Sequence, residues 1–397
     1  MDARVRELVK ATIPVLKEHG VALTTYFYQR MFRHNPELKN IFNQSHNETG
    51  KQPVALAMAV LAYAENIDDP SVLAPVITLI ANKHASVGIR AEHYPIVGKH
   101  LLASIREVLG DAASDELIAA WGVAYGALAD VFIDAESKLY NQACNADGGW
   151  SGWRSFRIID KVRESEEITS LHLVPCDGGP LPAYRAGQYT TARVFVPELG
   201  VMQLRQYTLS IAPGAMHFRI SVKREPAGAT TPAGRVSNRL HDFYKVGDML
   251  ELAPPFGEFF LDETHDGPVV LISGGVGITP MISMLDRLVA AAPSRPVQFV
   301  HACRNAAVFA FGAHLAKVAE RNPQVRLHLF HDEGAVSAPV QAGRVDLRAL
   351  AGEVLGADYY LCGPVGFLEA QIATLHELGV ESARIHAEVF DTGGIAT

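Results

Sequence analysis

The spacing of apolar residues changes period near residue 150, and no single core can serve both patterns. Before that point the repeat is helical. Val97, Leu101, Ser104, Ile105 and Val108 fall on one helix face, and Trp121, Tyr125, Leu128 and Phe132 on another. Asn35-Pro36-Glu37 and Gln52-Pro53 place proline where a first helical turn accepts it. No strand pattern occurs in the first 140 residues, so the expectation is an all-α domain of about seven helices. Asp147-Gly148-Gly149 reads as a hinge. Short β-like runs follow (FRIID, SLHLVP, YTTARVFVP, RQYTLSI, HFRISVKRE), as in an antiparallel barrel, with one polar helix from Arg235 to Phe243. From Pro268 buried strands alternate with helices (VVLIS, PMISMLDRLVAAA, PVQFVHAC, VRLHLFH, DYYLCG), which predicts a parallel α/β sheet. The expected division is all-α over 1–147, β-barrel over 151–262 and α/β over 266–397.

Composition fits a chain of 397 residues with several cores: 48% hydrophobic, 20% charged, formal net charge -8. Lys and Arg number 13 against 17 acidic residues up to Asp147, and 22 against 26 beyond it, so neither half carries the basic excess of a nucleic-acid binder. The start, MDARVRELVKATIPVL, is amphipathic and lacks the apolar run of a signal peptide. No segment reads as the roughly 18 apolar residues of a membrane span. Cys144, Cys176, Cys303 and Cys362 are far apart and suit reduced thiols in a cytoplasm.

Four motifs carry the chemistry of the C-terminal portion. Ser273-Gly274-Gly275-Val276-Gly277-Ile278-Thr279-Pro280 joins a strand to a helix, where bare backbone and a helix N-terminus can take a pyrophosphate. A plain strand–helix turn is the competing reading of the glycines taken alone. Arg205-Gln206-Tyr207-Thr208 lies on a barrel strand, with the Arg fork and the Tyr ring on one face. Gly187-Gln188-Tyr189 lies upstream. Gly234-Arg235-Val236-Ser237-Asn238 opens the polar helix, and Cys362-Gly363-Pro364 ends the last strong strand at the edge where α/β sheets bind ligands. In this order the set resembles the ferredoxin–NADP reductase superfamily over roughly Trp153 to Phe390. The resemblance implies FAD on the barrel, against Arg205, Gln206, Tyr207 and Thr208, with Tyr189, Val236 and Ser237 in support and Glu388-Val389-Phe390 beside it. It also implies NAD(P)H on Gly274, Gly275, Val276, Gly277, Ile278 and Thr279, its nicotinamide near Cys362 and Gly363.

The helical portion is mute residue by residue. His84, His93 and His100 are three of 16 histidines, and a helix histidine is usually a surface or packing residue. As a set, FYQRMFRHNPELKNIFNQS, GKQPVALAMAVLAYAENI, ANKHASVGI, HYPIVGKHLLASI and WGVAYGALADVFI closely resemble bacterial flavohaemoglobins, and with the reductase motifs the match spans nearly the whole chain. That resemblance implies haem b held by His84, a polar distal side of Tyr28 and Gln52, Leu56 limiting access, Phe42 packed on the haem, and Tyr94 and Glu136 behind the proximal ligand. It implies that NAD(P)H reduces FAD, that FAD passes single electrons to haem, and that nitric oxide and O2 become nitrate. Anaerobic nitric oxide reduction, peroxide reduction, a lipid in the distal pocket, or an O2 sensor or carrier are the competing readings. The family precedent is a monomer or a weak dimer. NADH and NADPH are not distinguished: Arg304, past the second α/β strand, is placed either to meet a 2′-phosphate or to lie solvated in a loop. Thr208 stands where the family more often has serine, and Asp391-Thr392-Gly393-Gly394 where many members have Phe-Gly-Pro.

Overall fold

The computed structural model describes residues 1–228, 232–349 and 356–390; the tail after Phe390 lies outside it. The chain divides into two compact units: Met1–Ala146 with Trp150–Gly152 and Thr191–Arg205, and Asp147–Gly149 with Trp153–Thr190 and Gln206–Thr397.

The first unit opens with seven α-helices: α1 (Ala3–Ala11), α2 (Ile13–His34), α3 (Gln44–Glu48), α4 (Lys51–Glu65), α5 (Ala74–Val87), α6 (His93–Leu109) and α7 (Asp115–Asn145). Their starts follow local chemistry. Proline occupies the first turn of α2 and of α5. The Ser114 hydroxyl accepts from Leu117 N to cap α7, and Asp115 and Glu116 complement its dipole. Asn35-Pro36 opens only a short 3-10 turn, Pro36–Asn40. On α2, Leu16, Leu23, Phe27 and Met31 recur at helical spacing and are buried in one core with Tyr63, Leu101, Ile105 and Trp121.

Three expectations need correction. Val108 is 37% exposed, because the α6 stripe drifts out of the core by its last turn. The sequence also reads Val72, Val76, Leu79 and Ile80 as an apolar helix that His84 follows; Val72 and Val76 instead face solvent, and His84 lies inside the last turn of α5. Finally, α7 contains an 18-residue window of mean hydropathy 1.5, long and apolar enough by composition to cross a membrane. It packs on α1, α5 and α6, and its buried side chains include Trp121, Ala124, Phe132 and Glu136.

The strands β1 (Arg154–Arg163), β2 (Ile168–Pro175), β3 (Tyr189–Val196), β4 (Val201–Thr208), β5 (Phe218–Lys223) and β6 (Met249–Leu252) form a sheet ordered β4-β3-β6-β1-β2-β5. An antiparallel bridge from Leu209, just past β4, to Ile220 on β5 joins its two edges, so the sheet closes as a barrel. The polar helix appears as α8 (Arg235–Asp242), with Phe243 as its C-cap.

The second sheet is wholly parallel, from β7 (Val269–Gly274), β8 (Val297–Cys303), β9 (Val325–His331), β10 (Val340–Ala342), β11 (Asp358–Cys362) and β12 (Ile385–Glu388), in the order β10-β9-β8-β7-β11-β12. The central strands β7, β8 and β11 are buried on both faces, as inner parallel strands are, and the helices α9 (Ile278–Ala291), α10 (Gly312–Arg321) and α11 (Val365–Glu377) alternate with the strands of this sheet. Strand order reverses between β7 and β11. That switch point opens a crevice at the carboxyl ends of the strands, where such sheets bind ligands.

Phe27 is 2% exposed in the helical core. Phe27→Ala is expected to destabilise that unit by about 3–5 kcal/mol, read as an earlier unfolding transition in far-UV circular dichroism.

Candidate functional site

The first unit builds its polar centre from three helices. Gly88 adopts the left-handed conformation that ends α5, and Ile89 N closes back on the His84 carbonyl at 3.0 Å, which fixes the turn carrying His84. Glu136 on α7 is 2% exposed and lies 2.8 Å from His84 Nδ1. Tyr94, in the first turn of α6, donates to the same carboxylate oxygen at 2.5 Å. Tyr125 on α7 donates to the Tyr94 carbonyl at 2.7 Å and pins that turn. A carboxylate can only accept, so the imidazole must donate from Nδ1. The lone pair then falls on Nε2, which has no hydrogen-bond partner among the described residues. Burial first, then the bond to Glu136, raises the Tyr94 phenol well above its ordinary pKa, so it remains a donor. His93 and His100 are not part of this centre. His93 accepts from Arg90 N, and His100 is buried between Arg30 and Asn35.

Tyr28 belongs to the neighbouring core. Its ring meets Phe42 edge-on at 5.8 Å and stacks on Phe32 at 5.9 Å, and Leu56 and Val60 pack against the same core. Burial pushes its pKa well up, opposed by a hydrogen bond with the Gln52 side chain. Gln52 Oε1 is buried and has no partner. Such an orphan costs free energy unless something polar meets it. Among the described residues no three His, Cys, Asp or Glu side chains converge as a metal site. The donor set therefore suits a haem, which brings four nitrogens of its own and needs one protein imidazole.

Arg205 ends the first unit. Its guanidinium donates to the Leu204 carbonyl and to the Ser45 hydroxyl at 3.3 Å. In the second unit, Gln206, Tyr207 and Thr208 complete β4, exposed, half-buried and buried in turn. Tyr189 opens β3 and exchanges backbone hydrogen bonds with Phe256. A Cβ at Gly257 would come within 2.9 Å of the Tyr189 ring, so glycine there leaves the ring its place. At the start of α8 Val236 is fully buried and the Ser237 hydroxyl accepts from Glu225 N. Val389 is half-buried and Phe390 is 49% exposed.

The glycine motif and the cysteine motif meet at the switch point. A Cβ at Gly277 would overlap the Cys362 carbonyl, one at Gly363 would lie 3.1 Å from Gly274 N, and one at Gly274 would lie 3.1 Å from Pro364. Gly275 is exposed, with φ +55 and open space where a Cβ would stand. Val276 is half-buried, Ile278 and Thr279 are buried, and the Thr279 hydroxyl returns to the Val276 carbonyl. These contacts make a backbone-lined cradle ahead of α9, suited to a pyrophosphate. Cys362 pairs in register with Ser273 and with Glu388. Burial and then Glu388 hold its thiol far above the ordinary range, so it is no nucleophile at neutral pH. Two residues here escaped the sequence reading. His301 accepts from or donates to Ser273 at 2.8 Å and is kept neutral by burial, its pKa lowered to about 3. Gly257 follows Pro254-Pro255, a turn signal only, and its φ of +119 is visible in the structure alone.

A seven-helix region with a carboxylate-backed histidine, and a barrel followed by a dinucleotide-type sheet, define a globin joined to an oxidoreductase. Comparison with known proteins agrees. The Globin family matches residues 25–132 and the Oxidoreductase NAD-binding domain family matches residues 271–372. The chain is 57% identical to the flavohemoprotein of Chromobacterium violaceum over 98% of both chains, and 56% identical to that of Bordetella parapertussis over the full length of both. It is similar to the crystal structure of a Malassezia yamatoensis flavohemoglobin with bound FAD and heme (TM-score 0.87, 26% identity, 98% and 99% coverage). It is also similar to the FAD/NAD-binding domain of a Vibrio cholerae nitric oxide dioxygenase (TM-score 0.55, 38% identity, 59% of this chain and 98% of that one). The chain belongs to the flavohaemoproteins.

Because a side chain at Gly277 must displace the Cys362–Gly363 backbone, Gly277→Ala is expected to weaken NAD+ binding by about tenfold or more. Calorimetric titration checks this, with the far-UV spectrum as the control for folding.

Proposed function

We propose that the protein is a nitric oxide dioxygenase that uses NAD(P)H, FAD and haem to convert nitric oxide and O2 to nitrate. The observation that carries the reading is the shared carboxylate behind His84. Once bound, the flavin turns a two-electron reductant into single electrons and the haem supplies a redox-active iron. His84 Nε2 is the iron ligand in this reading. Glu136 draws on the Nδ1 proton and makes the imidazole a stronger donor than a simple oxygen carrier wants, while Tyr94 holds the carboxylate in line. Tyr28, its pKa raised, keeps its hydroxyl proton at neutral pH and offers it as a hydrogen bond in an apolar surround; Gln52 and Phe42 orient it and Leu56 narrows the approach.

In the reductase portion Arg205, Gln206, Tyr207 and Thr208 hold the flavin and its pyrophosphate, supported by Tyr189, Val236, Ser237 and the Glu388–Phe390 segment. Gly274 to Thr279 hold the nicotinamide dinucleotide, and Cys362-Gly363 give its ring a neutral, thiol-lined seat. The carboxylate-backed histidine also suits peroxide reduction, and the products separate the two.

Tyr28→Phe removes the donor and leaves the ring. Nitrate formed from nitric oxide in air with NADH is expected to fall about 10- to 100-fold, with haem content unchanged. Undiminished nitrate formation would defeat the role given to Tyr28, and nitrate formation absent from the parent protein would defeat the reading itself.

A further inference from the structure

Arg304 is the first residue beyond β8, the strand beside β7 on the side away from β11. A dinucleotide whose pyrophosphate lies on the turn after β7 and whose nicotinamide lies toward Cys362 extends its adenosine the other way, over the carboxyl end of β8. Arg304 thus stands where a 2′-phosphate would seek a cation, and the structure shows what it does instead. Its guanidinium is paired with the Glu167 carboxylate. Glu167 is held from several sides: its carbonyl accepts from Arg224 N at 2.7 Å, its own N–H reaches Ser165 Oγ at 3.3 Å, and Glu166 N donates to the Ala307 carbonyl at 2.9 Å. The turn before β2 is therefore tied to the loop after β8.

Acidic residues border the same corner. Asp332 N donates to the Cys303 carbonyl and Glu333 N to the Arg304 carbonyl, so the exposed segment after β9 runs beside Arg304. Past Glu333 the next cation along the chain is Arg344, one residue beyond the Gly343 that follows β10, two strands out from β8. A half-exposed ion pair is weak, and a phosphate dianion could draw Arg304 away at little cost. Glu167, fixed through its backbone, would then face that dianion uncompensated. A ribose 2′-hydroxyl meets no such repulsion and finds acceptors in the same carboxylates.

We infer that the Glu167–Arg304 pair, with the acidic Asp332-Glu333 corner, makes the dinucleotide site select NADH over NADPH. This rests on the reading of the glycine cradle as the dinucleotide site. The test is equilibrium binding of NAD+ and of NADP+ to the holoenzyme by calorimetry at low ionic strength, in the parent protein, Glu167→Gln, and Glu167→Gln/Arg304→Gln. The parent is expected to prefer NAD+ by about tenfold or more. Glu167→Gln should narrow that preference about fivefold or more by releasing Arg304 to the 2′-phosphate, and the double variant should lose the gain. Equal binding of the two nucleotides by the parent, or an unchanged ratio in Glu167→Gln, overturns the selection by this pair. Failure of the parent to bind either nucleotide overturns the reading of the cradle, and the inference with it.

Discussion

Glu136 is a carboxylate almost wholly removed from water, and an unpaired charge there would be expensive. What makes its burial tolerable is that two donors converge on one oxygen, His84 from α5 and Tyr94 from α6. That interaction links three helices and sets the imidazole tautomer. It also explains the lengths taken to place its members: the left-handed Gly88 that ends α5 below His84, and the Tyr125 hydroxyl that holds the Tyr94 backbone. A histidine so supported is a strong iron donor, and a strong donor is of use where bound oxygen must react rather than merely be carried. In the proposed reaction the haem would be oxidised repeatedly and would require a source of electrons, which a reductase in the same chain would supply.

The reductase portion rests on a different constraint, the close approach of backbone to backbone. The order of the parallel strands places the turns after β7 and β11 side by side. Only glycine fits where they touch: Gly277 against the Cys362 carbonyl, Gly363 against the amide of Gly274. The resulting cradle is lined by backbone, as a pyrophosphate site needs, and the burial that suppresses Cys362 as a nucleophile would make it a passive wall in the proposed dinucleotide site.

The fold was legible to very different depths along the sequence. Parallel strands such as VVLIS and PVQFVHAC are short apolar runs bounded by turns, and helix α7 shows the helical spacing of Trp121, Tyr125, Leu128 and Phe132, so both read directly. The GGVGITP and CGP motifs point to close backbone approach, but the glycines alone also fit a plain strand–helix turn and gain their meaning from the other reductase motifs. The haem-side residues do not announce theirs. His84, Tyr94 and Glu136 are 10 and 42 residues apart along the chain and meet only through helix packing, and nothing local separates His84 from His93 or His100. They were found through resemblance alone. Glu167 escaped entirely, since an acidic residue in a turn before a strand is ordinary until the loop carrying Arg304 is folded against it.

The central claim is that the Glu136 carboxylate strengthens the His84 imidazole. Resonance Raman spectroscopy of the reduced, ligand-free holoprotein reads the iron–histidine stretching vibration, which rises as that bond strengthens. The account predicts a lower frequency in Glu136→Gln than in the parent, with haem still bound. The same frequency in both would contradict it.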